Sequence, residues 1–211
     1  MKYKAIIFDL DGTLVKTNEE YYYALIEKVC KTFNKPSPDK KFLEKFWFHG
    51  DRKPLIEEHF NIDDRQFWEE YIKYDSVEFR EKHIEAYPDT DIIAELKAKG
   101  FAIGICTGSQ KHIAELELGL IGLQYFDALV CQQWLYGMKP KPDPVGFLQC
   151  MFMMNVRPSQ TLIVGNGEED ILGAEAAGAQ CVFIERREYD TTHIKPVKTI
   201  HSLHELRDIL Y

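Results

Sequence analysis

The sequence predicts an α/β fold: a parallel sheet covered by helices on both faces and interrupted by an all-helical insert. Three observations carry that prediction. Short apolar runs recur without the alternation of a half-exposed antiparallel strand, amphipathic helical patterns fall between them, and residues about 16 to 84 turn aromatic and charged with no persuasive strand. At about 150 residues per domain, 211 residues suit one core with a smaller insert better than a modular chain.

Taken in order, Lys4-Ala5-Ile6-Ile7-Phe8 reads as a buried strand that stops at Asp9-Leu10-Asp11-Gly12-Thr13, where acids and a glycine break the apolar run. Inside the insert, Tyr22, Ile26, Val29 and Phe33 form one helical stripe. Phe42 with Phe46, Leu55 with Glu58 and nearby Phe60, and Phe67 with Tyr71 mark further helices, the first break being Lys35-Pro36-Ser37-Pro38-Asp39. After it, Pro88-Asp89-Thr90 opens a helix through Ile92, Ile93 and Leu96 that stops at Gly100. Strands at Ala102–Cys106, Thr161–Val164 and Cys181–Ile184, with a shorter one at Ala128–Val130, alternate with helices. Those helices carry Ile113, Leu116 and Leu120; Phe147, Leu148, Met151 and Phe152; and the small-residue run from Asp170 to Ala177, ended by Gly178. Ser202-Leu203-His204-Glu205 has capping-box spacing before the final turn.

Composition excludes several classes of function. Acidic residues number 34 against 26 Lys plus Arg, a formal charge of -8 that disfavours sequence-independent binding to a phosphate backbone, so no nucleic acid partner is expected. No run approaches the roughly 18 apolar residues of a membrane span, and no export signal is visible, which points to a cytoplasmic chain with no membrane partner. Five widely spaced cysteines form neither a disulfide framework nor a paired zinc motif.

Polar groups gather at the C-terminal ends of the predicted strands, the edge at which open parallel sheets bind ligands. Asp9 and Asp11 can serve different roles in one site if the chain turns at Gly12. Cys106-Thr107-Gly108-Ser109 supplies hydroxyls and a close backbone N–H before a helix, fit to hold an anion, with a helix N-cap at Ser109 as the plainer role. In Lys139-Pro140-Lys141-Pro142-Asp143-Pro144 either lysine can face a phosphate; spacing does not choose between them. Gly165-Asn166-Gly167-Glu168-Glu169-Asp170 combines flexible backbone with oxygen donors, which suits a hard divalent ion such as magnesium better than zinc.

Together these segments resemble the haloacid dehalogenase-like hydrolase superfamily, in its helical-cap phosphatase branch, over nearly the whole chain. The resemblance implies a Rossmann-like parallel-sheet core, residues 1–15 and 85–211, with an inserted all-helical cap at 16–84. It implies a magnesium-dependent phosphomonoester hydrolase acting on a small phosphorylated metabolite through an aspartyl-phosphate, as monomer or homodimer. Asp9 is then the nucleophile and a metal ligand, and Asp11 the general acid and base, its backbone carbonyl also on the metal. Thr107 and the Gly108 N–H hold a phosphoryl oxygen. Lys139, which stands before the first proline as in the family pattern, neutralises the phosphate. Asn166 departs from the usual fourth motif, which has an acid there; its amide oxygen and Asp170 complete the expected metal shell. Phosphomutase, metal-independent haloacid dehalogenase and a catalytically impaired phosphate-binding protein are the alternatives, and Asp11 argues against the dehalogenase. In the cap, Trp47, Phe48, His49, Gly50 and Arg52 offer aromatic walls and cationic groups to an organic phosphate, with His49 and Arg52 as expected substrate contacts.

Overall fold

Why the apolar runs do not alternate is explained by the computed structural model, which describes residues 2–48, 52–133, 136–187, 191 and 194–211. The first strand, β1 (Ala5–Phe8), is buried at every position. The other strands are β2 (Val15–Thr17) and β3 (Ile84–Ala86) beside the insert, then β4 (Ala102–Thr107), β5 (Ala128–Cys131), β6 (Thr161–Gly165), β7 (Gln180–Ile184) and β8 (Thr199–Ile200). A six-stranded sheet runs in the order β5-β4-β1-β6-β7-β8, each neighbouring pair parallel. Helices cover it, so both faces of the central strands are dry and β-branched residues fill them.

The order of the sheet decides where a site can form. From β1 the chain moves outward on one side through β4 and β5, then returns to the other side of β1 and continues through β6 to β8. Connections therefore diverge at β1, and the crevice beyond its carboxyl end is open to a ligand. Asp9 is the first residue past that end.

The chain forms two compact units, Met1–Lys16 with Glu85–Tyr211, and Thr17–Ile84. The first holds the parallel sheet and the helices around it. Among the described residues the insert holds α1 (Glu19–Thr32), α2 (Lys40–Phe48), α3 (Lys53–Leu55), which runs on into a wider turn at Ile56–Phe60, α4 (Asp64–Tyr74) and α5 (Val77–Arg80). Asn18 and Asp63 cap α1 and α4, each accepting a backbone N–H from the first turn. The insert buries its own core, in which Tyr21, Phe46, Phe60 and Phe67 pack with Leu25, Ile26 and Val29. On α1 the buried face is Tyr21, Leu25, Ile26, Val29 and Cys30; Ile26 and Val29 of the expected stripe are in it, and Tyr22 and Phe33 pack half-buried against its edge.

Around the sheet stand α6 (Ile92–Ala98), α7 (Lys111–Gly119), α8 (Val145–Met153), α9 (Glu168–Ala176) and α10 (Arg207–Leu210). Gly100 and Gly178, with φ of 88° and 74°, follow α6 and α9 where the sequence placed their stops. Ser202 and Glu205 form the expected capping box. Two buried faces differ from expectation. On α7 they are Ile113, Ala114, Glu117 and Leu118, and on α8 Leu148 and Phe152 face solvent while Gly146, Phe147, Cys150 and Met151 turn inward. No helix among the described residues is long and apolar enough to cross a membrane.

Candidate active site

At the end of β1 the backbone coils once. Asp9 still donates its N–H to the Val164 carbonyl (2.9 Å), but the Leu10 carbonyl then accepts from Thr13, Leu14 and Val15. Gly12, at φ 75°, permits the coil, and a Cβ there would collide with the Asn166 amide. That turn returns Asp11 to the same edge as Asp9. The Ser109 hydroxyl donates to Asp11 Oδ2 at 2.7 Å, which fixes the carboxylate. Ser109 is therefore not the cap of α7; that position belongs to Gln110, whose side chain makes no capping bond.

Thr107 ends β4 almost fully buried, and its Oγ1 accepts the Ser109 N–H (3.0 Å), which sharpens the turn at exposed Gly108. Where a Cβ would stand on Gly108 there is open space, so its backbone can be approached closely.

The lysine that faces Asp9 is Lys141, and the expectation for Lys139 is corrected. Lys141 Nζ lies 2.6 Å from Asp9 Oδ1 and 2.7 Å from Asp170 Oδ1, and also donates to the Cys106 carbonyl (3.3 Å). Lys139 is exposed. The reason is a buried glutamine that belongs to no motif in the sequence. Gln132 Nε2 donates to the Lys139 carbonyl (2.7 Å) and the Asp143 carbonyl (2.6 Å), gripping the loop on both sides of Lys141 and turning that side chain inward. Its Oε1 accepts from the Cys106 thiol (3.3 Å), and Gly146 leaves the room that this amide needs.

After β6, Asp170 caps α9 by accepting the Gly167 N–H on Oδ2 (3.1 Å) while Oδ1 meets Lys141. Asn166 brings Oδ1 within 3.3 Å of the Thr13 hydroxyl, which also lies 3.2 Å from Asp9 Oδ2. Asp9, Asp11, Asn166 and Asp170 are thus assembled at one sheet edge with Lys141. Glu169, half-buried, adds a further carboxylate whose charge is felt by both Asp9 and Asp170.

Lys141 does not bring the two carboxyls it touches, Asp9 and Asp170, down to their ordinary values. Burial raises the Asp9 carboxyl above its ordinary value, Lys141 opposes that rise, and Asp11 and Glu169 add to it. Asp170 is pushed up to about 7, first by burial and then by Asp9 and Glu169, against the pull of Lys141. Burial would lower the Lys141 ammonium, yet Asp170 and Asp9 hold it well above the ordinary lysine range. The charge distribution therefore favours a further cation. Among the described residues no group of three or more His, Cys, Asp or Glu side chains is gathered as a metal site. Lys141 separates Asp9 from Asp170, and an amide stands at Asn166; the donors that remain are all oxygens, the chemistry of a hard ion.

His49 and Gly50 lie outside the described residues, as do the side chains of Trp47 and Phe48. Arg52 is half-buried within the insert, where its Nε donates to the Phe46 carbonyl at 3.2 Å.

The chain is similar to known proteins over its whole length. Pyrophosphatase PpaX of Bacillus mycoides is 29% identical over 215 residues, covering 100% of this chain and 96% of that protein; its Oceanobacillus iheyensis counterpart is 26% identical with the same coverage. Among solved structures, a haloacid dehalogenase-like family hydrolase from Streptococcus pneumoniae superposes with a TM-score of 0.76 at 22% identity, over 100% of this chain and 99% of that one. A HAD phosphatase from Thermococcus onnurineus matches with a TM-score of 0.66 at 25% identity, over 98% and 97% of the two chains. The family model for haloacid dehalogenase-like hydrolases matches residues 6–184, a span that runs from β1 to the end of β7 and contains every polar group of the site just described. With its parallel core, its helical cap insertion and that match, the chain is an enzyme of the haloacid dehalogenase-like hydrolase family.

Proposed function

We propose that the chain is a magnesium-dependent phosphomonoester hydrolase that acts on a small organic phosphate through an aspartyl-phosphate on Asp9. The observation that carries this reading is the pairing at the end of β1: Asp9 held by Lys141 at 2.6 Å, with Asp11 held by Ser109 at 2.7 Å. The carboxylate of Asp9 attacks phosphorus in line with the departing oxygen, and the P–O bond to the organic group breaks. Asp11 delivers a proton to that oxygen. Asp11, now ionised, takes a proton from water as the water attacks the phosphoenzyme, releasing phosphate and restoring Asp9. Thr107 and the Gly108 N–H bind phosphoryl oxygens, and Lys141 neutralises charge that grows in the transition state.

Asp9, Asp170, the Asn166 amide oxygen and the Asp11 carbonyl would hold magnesium, which supplies positive charge that lessens repulsion between a carboxylate nucleophile and an anionic substrate. Asn166→Asp, adding a carboxylate to this set, is expected to tighten magnesium in calorimetric titration. Unchanged affinity in the folded variant would remove residue 166 from the shell.

Phosphate release from a panel of small phosphoesters, with and without magnesium, tests the activity. Inorganic pyrophosphate belongs in the panel because of the PpaX relatives, and halogenated acids represent the competing chemistry. Asp9→Asn should abolish turnover and radiolabel transfer to protein while the fold persists. Near-native turnover in that variant would sink the nucleophile assignment.

A further inference from the structure

Arg186 follows β7 at the same sheet edge as the site, yet nothing in the reaction just described uses it. Its side chain is only 7% exposed. Nη1 donates to Asp89 Oδ2 (2.8 Å), and Nη2 donates to Asp89 Oδ1 (3.1 Å) and to the backbone carbonyl of Thr13. The guanidinium also stacks on Tyr87, 3.8 Å from the ring centroid. Asp89 is fixed in turn, accepting from the Ser202 hydroxyl (3.1 Å) and the Leu203 N–H (2.8 Å). One side chain thus ties together the segment by which the chain leaves the core, at Thr13, the segment by which it returns, at Tyr87 and Asp89, and the C-terminal turn.

Thr13 is what links this cluster to chemistry. It is fully buried, its carbonyl is held by Arg186, and its hydroxyl lies 3.2 Å from Asp9 Oδ2 and 3.3 Å from Asn166 Oδ1. A buried ion pair is in general no better for stability than apolar packing of the same volume, and the Arg186 Nε–H is buried with no partner among the described residues. Such an arrangement gains in geometry what it does not gain in stability.

We propose that Arg186 is a positioning residue for the nucleophile, holding the Thr13 carbonyl against Asp89 so that the Thr13 hydroxyl in turn fixes the Asp9 carboxylate. The inference rests on the reading of Asp9 as nucleophile. Lysine cannot replace the arginine fully, because a point-like ammonium does not span both carboxylate oxygens and a carbonyl in one plane.

The test is a double-mutant cycle on the full chain, with p-nitrophenyl phosphate as the probe and melting temperature as the check on folding. Arg186→Ala is expected to lower kcat by about 10-fold or more with KM within about 3-fold, since phosphate binding through Thr107, Gly108 and Lys141 is left in place. Arg186→Lys should recover part of that loss. In a Thr13→Ala background, where the hydroxyl on Asp9 is already gone, either substitution at 186 should cost less than about 3-fold more. Equal factors in the two backgrounds would show a general structural effect and overturn the proposal. Full kcat in a folded Arg186→Lys would overturn it as well, and stands as the deciding variant if Arg186→Ala does not fold. Asp9→Asn separates this failure from that of the underlying reading: turnover retained at Asp9→Asn refutes the nucleophile, whereas a dead Asp9→Asn beside an unaffected Arg186→Lys refutes the clamp alone.

Discussion

Lys139 and Lys141 stand two residues apart, each followed by proline, and differ in nearly everything that chemistry reads. Lys141 is enclosed between two carboxylates, while Lys139 is in water. Lys141→Ala should therefore lower kcat/KM by about 100- to 1,000-fold, the usual cost of losing one preorganised charge from a phosphoryl or oxyanion site. Lys139→Ala should change it by less than about 3-fold, as surface substitutions do. Steady-state kinetics of both variants on one phosphoester decides the matter, and the reverse ranking would restore Lys139. Asp9, Asp11, Thr107 and Gly108 were legible because each lies just past an apolar run and before a turn residue, so local pattern alone puts them on one edge. The lysine was not legible, because its direction is set by the side chain of Gln132, at the start of the same connection from β5 to α8, and no local pattern shows where that amide points. Ser109 looked like a helix cap for a similar reason: only the fold shows Asp11 beside its hydroxyl.

The loop from 139 to 143 owes its shape to Gln132, and the strands that present the other groups owe theirs to burial. Gln132→Leu keeps volume but takes the donor from the part-buried carbonyls of Lys139 and Asp143, a cost of up to about 1–3 kcal/mol for each one left unpaired. Denaturant unfolding should show that loss, and kcat/KM should fall with it as Lys141 loses its aim. A folded Gln132→Leu with native kinetics would mean that the loop holds itself. At this scale the sequence was informative wherever an element was long and buried: β1, β4, β5, β6 and β7 and the helices between them all fall where apolar period and punctuation put them. It was silent on β2, β3 and β8, which have two or three residues each and so no period to detect. On α8 the apolar residues run almost all round, so pattern could not say that Leu148 and Phe152 face outward.

For the molecule as a whole, the crowded acids of the site make stability depend on pH. A carboxyl whose folded value is raised contributes stability below its unfolded value of 3.8 and loses it as pH rises through the folded value, about 7 for Asp170. Lys141, raised above the ordinary 10.5, stays charged across that window and does not titrate in it. Protein freed of metal should thus melt at progressively lower temperature from about pH 4 to about pH 7 and level off above it, and Asp170→Asn should flatten the profile. Magnesium should flatten it too, by offsetting the same repulsion. A metal-free profile identical in the wild type and Asp170→Asn would contradict this account. The change of texture along residues 16–84 marks the insert in the sequence, and the unit Thr17–Ile84 buries an aromatic core of its own.

How that insert is joined has a consequence for its history and for engineering. The Tyr87 N–H bonds to the Leu14 carbonyl (3.0 Å) and the Asn18 N–H to the His83 carbonyl (2.8 Å), and β2 pairs with β3, so the two ends of the inserted segment emerge side by side. A segment whose ends already touch can be exchanged as a cassette, since removing it leaves a gap that a tight reverse turn can close. Joining Lys16 to Glu85 through Asn-Gly should give a shortened chain that still folds around the six-stranded sheet, with the cooperative melting and far-ultraviolet dichroism of an α/β protein. Recombining the core with inserts from relatives would then test whether the insert takes part in selecting a substrate.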